Sequence, residues 1–421
     1  MSYRVVIVGG GFGGLYAAKG LAHAPVEVTL VDRRNYHLFQ PLLYQVATGA
    51  LSPGEIASPL RHVLSRNQNT RVWLAEVTDI DVDAHELVLE QQRLSYDTLV
   101  LAAGAGNQYF GHDQWRAEAP GLKSIDDATE IRGRILRAFE AAEMEPDPEK
   151  RRALLTFVLI GGGPTGVELA GAMSEIANDT LRHDFRQINP AEAQILLLEG
   201  TDRILSAFPP ELSEAAVRSL IRMGVHTRTK AMVTGIDPAG VTIQVDGATQ
   251  HIPACTVLWA AGVAPSPLGA ILCQRAGLTP DRQGRVVVEP DLSVPGHPEI
   301  LVIGDLANFS HQGGKPLPGV APVAMQQGRY VARLIEKRLR GEPVEPFHYW
   351  DKGNLATIGR KSAVADFGAL RFSGPIAWLA WLFVHLMYLV GFENRVLVLI
   401  KWTYNYITHN RGARLITGVE K

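Results

Sequence analysis

The sequence predicts an α/β chain made of two Rossmann-like dinucleotide-binding domains followed by a C-terminal membrane-associating helical segment. Three observations carry this expectation. A strand, glycine-turn and helix pattern occurs twice in register, each copy is followed by an acidic residue closing a later strand, and one long uncharged stretch lies near the C-terminus.

The repeat comes first. "VVIVGGGFGGLYAAKGLA" from Val5 and "FVLIGGGPTGVELAGAMS" from Phe157 superimpose at an offset of 152 residues. Each opens on a continuous apolar run, as a parallel strand covered on both faces requires, and passes through glycines into helical periodicity. Both carry G-x-G-x-x-G, as Gly9, Gly11 and Gly14 and as Gly161, Gly163 and Gly166. Glycine is needed there for a tight turn, for close approach of a pyrophosphate to bare backbone, and for close packing of helix on strand. The helix N-terminus adds unpaired N–H groups and a partial positive charge. One such turn is weak evidence; two in register are strong.

The acid that would hold a ribose hydroxyl also occurs twice. Asp32 closes "VEVTLVD", 23 residues after Gly9, and Glu199 closes "QILLLEG", 38 residues after Gly161, so the second copy contains an insertion around "NDTLRHDFRQINPAEA". A carboxylate at this position repels a 2′-phosphate and favours NAD over NADP. "LVLAAG" and "VLWAAG", ending in Gly104 and Gly262, form a further matched pair of late strands.

Bulk properties narrow the function. A chain of 421 residues calls for two or three domains, and a formal net charge of −2 gives no sequence-wide case for nucleic acid. "MSYRVVIVGGG" has no signal-peptide pattern, which places the catalytic body in the cytoplasm. Cys255 and Cys273 form no C-x-x-C, so neither a disulfide framework nor a metal site is expected. Two dinucleotide sites in one chain make chemical sense when one holds a flavin and the other a nicotinamide.

With "EILVIGDLA" at 299 to 307 added, these motifs resemble the two-dinucleotide-binding-domain flavoproteins. The resemblance implies FAD at the first fingerprint, NADH as substrate at the second, and Asp305 near the ribityl and phosphate end of the flavin. The plain structural alternative for Asp305 is a helix N-cap. Disulfide reductases of this superfamily are excluded, because no cysteine precedes position 255. Sulfide:quinone reductases are disfavoured for the same reason and because the second fingerprint is complete.

Three further stretches, "NYHLFQPLLYQVATG", "GVAPVAMQQGRYVARLI" and "LATIGRKSAVADF", are similar to type II NADH dehydrogenases, which pass electrons from NADH through FAD to a membrane quinone without pumping protons. That resemblance implies Glu168 near nicotinamide and flavin and Gln326 near the flavin's quinone edge, with Gln45, Gln327 and Lys361 as quinone-side candidates. Where several members carry a second glutamine, this chain has Pro322. For Glu168 the alternative is an acid placed in a first helical turn by the macrodipole alone; for "PLLYQ" it is core packing, and for Lys361 a solvated surface charge. The implied quinone is menaquinone or ubiquinone. Rival functions are an NADH-dependent reductase of a ferredoxin- or rubredoxin-like protein and a flavin-bound redox sensor.

The expected domains are 1–120 with 271–345 for FAD, 121–270 for NADH with a preceding helical linker, and 346–421 for membrane anchoring and dimerisation. In the last, "GPIAWLAWLFVHLMYLVGFENR" belongs to a run of 21 uncharged residues between Arg371 and Glu393. At about 1.5 Å per residue such a run could span a hydrocarbon core of about 30 Å. Basic residues on both sides, scattered aromatics and a second mixed segment, "VLVLIKWTYNYI", favour a helix lying in the interface. The resemblance likewise implies monotopic attachment at the cytoplasmic face of the cell membrane, as a homodimer. The apolarity of the first segment on all sides leaves one of its faces unassigned.

Overall fold

The computed structural model describes residues 2–90, 92–408 and 411–417. The chain forms two compact units, 1–38 with 57–106 and 263–352, and 39–56 with 107–262 and 353–421.

In the first unit, parallel pairing of Tyr3–Val8 with Val26–Asp32 on one side and Thr98–Leu101 on the other centres a six-stranded sheet. Val5, Val6, Ile7 and Val8 are all buried, as both-face coverage of a parallel strand requires. Helix Phe12–Gly20 follows the glycine turn and packs on helix Ala321–Leu339. Bare backbone makes that contact: a Cβ on Gly328 would stand 2.3 Å from the Gly13 carbonyl oxygen.

The second unit repeats the plan with four parallel strands. Thr156–Ile160 lies between Gln194–Leu198 and Thr256–Trp259, and Val225–Arg228 forms the outer edge. The equivalence extends beyond the fingerprints. Val8 pairs with Leu101 as Ile160 pairs with Trp259, so the two "AAG" strands occupy matching places. Each is preceded by a three-stranded antiparallel sheet, over residues 77–95 and 232–253.

The two units divide the chain differently from the sequence expectation. Residues 39–56 belong with the second unit, where helix Leu43–Ala47 packs on helices Ile125–Met144 and Pro164–Glu175. The C-terminal region forms no body of its own: strand Asn354–Gly359 lies against helix Pro164–Glu175, where a Cβ on Gly171 would approach the Ile358 carbonyl oxygen to 1.6 Å. A glycine inside a helix normally weakens it; here it lets a strand sit on the helix backbone.

The uncharged stretch is not one helix. Strand Arg371–Gly374 leads into helix Pro375–Tyr388, and a break at residues 389–391 precedes helix Phe392–Thr408. Among the described residues, no helix is long and apolar enough to cross a membrane. The first of these helices resolves the apolarity question by presenting two faces. Ala377 and Trp381 are buried against the unit, while Ile376, Leu379, Phe383 and Met387, at helical spacing, are between 51% and 70% exposed.

Candidate functional site

The two glycine turns are built alike. Gly9 and Gly161 have φ of 102° and 109°, a left-handed backbone suited to glycine. A Cβ on Gly14 would lie 1.8 Å from the Gly9 carbonyl oxygen, and one on Gly166 would lie 1.9 Å from that of Gly161. Gly11 and Gly163 differ: a Cβ on either meets nothing within 4 Å. The third glycines thus close helix on strand, and the second ones leave backbone bare beside open space. Gly11 and Gly163 are also the N-caps of helices without a side-chain cap, so first-turn N–H groups stay available to a phosphate.

The two acids repeat as well. Asp32 accepts from the backbone N–H of Gly10 at 2.5 Å and of Arg34 at 2.7 Å. Glu199 accepts from Gly162 at 2.6 Å and Thr201 at 2.7 Å. The insertion before Glu199 therefore leaves its position unchanged, which its longer sequence spacing had obscured.

His37 was absent from the candidates. It is 1% exposed, its Nδ1 donates to the Gly10 carbonyl at 2.9 Å, and its Nε2 has no hydrogen-bond partner among the described residues. Burial pushes its pKa down to about 4, so the ring is neutral and Nε2 is an acceptor beside the first turn. Open space at Gly11, an uncapped helix and this orphaned nitrogen fit a dinucleotide.

Asp305 lies in the 3₁₀ turn Gly304–Leu306, whose N-cap is Ile303, so the N-cap alternative does not hold. The turn is held from below by Gln327, whose Oε1 accepts from the Gly304 N–H at 2.7 Å. Gln326 forms a two-point pair with the Trp350 backbone, donating at 2.9 Å and accepting at 3.0 Å. Pro322 is the second residue of helix Ala321–Leu339, where a missing N–H costs nothing. Gly104 and Gly262 both have positive φ, 66° and 75°.

A pocket of about 90 Å³ lies in the second unit. One wall is helix Pro164–Glu175, which begins at the second glycine turn and presents Glu168, Ala172 and Glu175 along one face. Tyr44 and Gln45 enter from helix Leu43–Ala47, and Thr357 to Arg360 from the hairpin opposite. Trp378, Trp381, Trp402 and Tyr406 supply aromatic surface from the two C-terminal helices.

Glu168 is the fifth residue of its helix, beyond the first turn, so the macrodipole does not explain it. Burial raises its pKa to about 8, against an opposing hydrogen bond from the Thr357 backbone. It is therefore protonated at neutral pH. Glu175 instead sits among cations: it accepts from the Arg360 backbone N–H and from Arg411 Nη2, each at 2.6 Å. Lys361 is exposed at the hairpin tip, with its ammonium 5.4 Å from the Tyr406 ring centre and φ of 105°. The pocket thus joins Glu168 with Gln45, whereas Gln326 and Gln327 belong to the first unit.

Comparisons with known proteins match the geometry. Residues 3–328 match the pyridine nucleotide-disulphide oxidoreductase family, and residues 351–409 match the NDH2 C-terminal domain. The chain is 47% identical to the type II NADH:quinone oxidoreductase Ndh of Mycobacterium tuberculosis, covering 99% of this chain and 90% of that one. It is 30% identical to the type II NADH:quinone oxidoreductase of Staphylococcus aureus, over 89% of this chain and 91% of that one. Among solved structures, NDH2 from Plasmodium falciparum in complex with NADH shares the fold, with a TM-score of 0.89 at 20% identity, covering 99% of this chain and 100% of that one.

Proposed function

Since the chain belongs to the type II NADH:quinone oxidoreductases, we propose that it binds FAD at the first fingerprint and NADH at the second, and reduces a membrane quinone held in the aromatic-lined pocket. FAD held there would supply acceptance of a hydride from NADH and delivery of two electrons to the quinone. The protein's residues orient, exclude water and supply protons. Gly11 and the uncapped helix behind it receive the flavin's pyrophosphate, with Asp32 at a ribose and Asp305 at the ribityl end. Gly163 and Glu199 do the same for NADH, and Glu199 disfavours a 2′-phosphate.

The observation that carries the quinone assignment is the pocket itself. It combines aromatic walls for a flat ring with a carboxylic acid, Glu168, that keeps its proton to about pH 8. A protonated acid in a dry site can give a proton to an oxygen that gains charge. Lys361 remains a quinone-side candidate in this reading, whereas Gln326 and Gln327 are bonded within the first unit.

Membrane contact is supported by the outward stripe of Ile376, Leu379, Phe383 and Met387, continued on the next helix by Ile400 at 60% and Tyr404 at 51% exposure. That helix turns Val398, Trp402 and Asn405 inward, so its polar contacts face the protein and its apolar side faces out. We place this surface in the cytoplasmic leaflet as a monotopic attachment, with the enzyme a homodimer.

Steady-state oxidation of NADH by a water-soluble quinone, compared between the full chain and Leu379→Glu/Phe383→Glu, tests both parts. Loss of vesicle binding with retained turnover is the expected result. No flavin in the purified protein, or no quinone-dependent oxidation, would refute the assignment.

A further inference from the structure

Resting on the reading that the pocket takes a quinone, we propose that Tyr44 donates the hydrogen bond that holds a quinone carbonyl oxygen, and that Gln45 and Trp402 fix the direction of its hydroxyl. The inference starts from an indole. Trp402 Nε1 lies 2.7 Å from Gln45 Oε1, and an indole N–H can only donate. The amide oxygen of Gln45 must therefore face Trp402, and its nitrogen must face the other way.

That nitrogen lies 2.9 Å from Tyr44 Oη. It too can only donate, so the phenol oxygen is the acceptor and its own O–H points elsewhere. The hydroxyl makes no other hydrogen bond, among the described residues, to take that hydrogen. Tyr44 is 7% exposed and Gln45 8%, so both are largely shut off from bulk solvent. All three side chains line the one pocket. A buried donor with no acceptor is costly to leave unmade, and here its direction is set by two partners in series.

The chemistry of the missing acceptor follows. It is an oxygen with a free lone pair, on a flat apolar body that can lie against the aromatic surface of Trp378, Trp381 and Tyr406. A quinone carbonyl has that form. Burial and the nearby carboxyl groups of Glu168 and Glu175 push the Tyr44 phenol upward, so the hydroxyl holds its proton and acts as a donor throughout.

The flavin-loaded full-length enzyme is compared with Tyr44→Phe, which keeps the ring and removes only the hydroxyl. Three measurements are made with a short-chain benzoquinone: the rate of flavin reduction by NADH, the KM for quinone, and the infrared carbonyl stretch of the bound quinone. Expected are unchanged flavin reduction, a KM raised about five- to tenfold, and loss of one down-shifted carbonyl band. Trp402→Phe provides a second variant. Without the indole donor the Gln45 amide can turn its oxygen to Tyr44 and capture the hydroxyl, so the same band weakens. A down-shifted band and KM that persist in Tyr44→Phe overturn the role of Tyr44, and a band untouched in Trp402→Phe overturns the relay. A wild-type enzyme with no bound-quinone carbonyl signal overturns the pocket's assignment itself, an outcome visible before any variant is made.

Discussion

Arg411 Nη2 donates to Glu175 Oε2 at 2.6 Å, joining residues 236 positions apart in a buried pair. Arg411 also donates to the Thr48 carbonyl at 3.1 Å, so one guanidinium ties the C-terminal segment to two walls of the pocket. Burial lowers the Arg411 pKa and Glu175 offsets part of that shift, as expected for a cation kept in place by its partner.

The two partners are unequal. Removing the carboxylate leaves Arg411 buried with no counter-charge, whereas removing Arg411 leaves Glu175 its hydrogen bond from the Arg360 N–H and the Arg360 guanidinium 3.7 Å away. Glu175→Ala should therefore cost about 3–5 kcal/mol of stability and Arg411→Ala less. Calorimetric unfolding midpoints check the order; equal losses would contradict it.

Glu168 gives a pH dependence with a definite sign. Its folded pKa is about 8 against an ordinary 4.5, so between those values the folded protein holds a proton that the unfolded chain has released. Stability from this group is fully present below pH 4.5 and is lost as pH rises towards 8. Glu168→Gln cannot ionise, so its unfolding midpoint should decline less than wild type over that window. Parallel curves for the two proteins would show that Glu168 ionises normally.

The parts of this molecule legible in the sequence are those whose chemistry is local. The glycine turns occupy neighbouring residues of one strand, turn and helix, so their spacing is legible in sequence, and each acid closes the next parallel strand of its sheet, at a spacing that the insertion before Glu199 lengthens. The pocket was harder to read because its walls come from positions 44, 168, 357 and 402, brought together only by folding. Trp402 and Tyr44 looked like an interfacial aromatic and a core residue until the amide between them was placed. The C-terminal region read as two segments parted near "GFENR", close to the break at 389–391, but hydropathy does not register a face spent on the protein's own core. A local signal passed over, besides His37, was Gly171, a glycine in a helix interior.

Gly171→Ala isolates that contact. Alanine is the better helix former by about 1 kcal/mol, so helix propensity alone predicts a stabilised protein. A Cβ would instead press to 1.6 Å from the Ile358 carbonyl oxygen, and the strand Asn354–Gly359 must move. The expected result is a lower unfolding midpoint together with weaker quinone affinity, because Thr357 and Arg360 shift with the strand. A rise in the midpoint would mean that strand and helix do not touch as described.

The glycines of the first fingerprint should separate folding from cofactor binding. Gly14→Ala places a methyl 1.8 Å from the Gly9 carbonyl oxygen, so helix Phe12–Gly20 cannot close on its strand and the protein should fold poorly or not at all. Gly11→Ala meets no protein atom within 4 Å. Its methyl projects into the space assigned to the pyrophosphate, so this variant should fold with a near-normal circular dichroism spectrum and yet be purified without the yellow flavin absorbance. Gly163→Ala is the counterpart in the second copy: it should keep its flavin and raise the KM for NADH about tenfold or more, the loss of one to two phosphate hydrogen bonds. A Gly11→Ala protein that retains a full complement of flavin would remove the pyrophosphate from this turn.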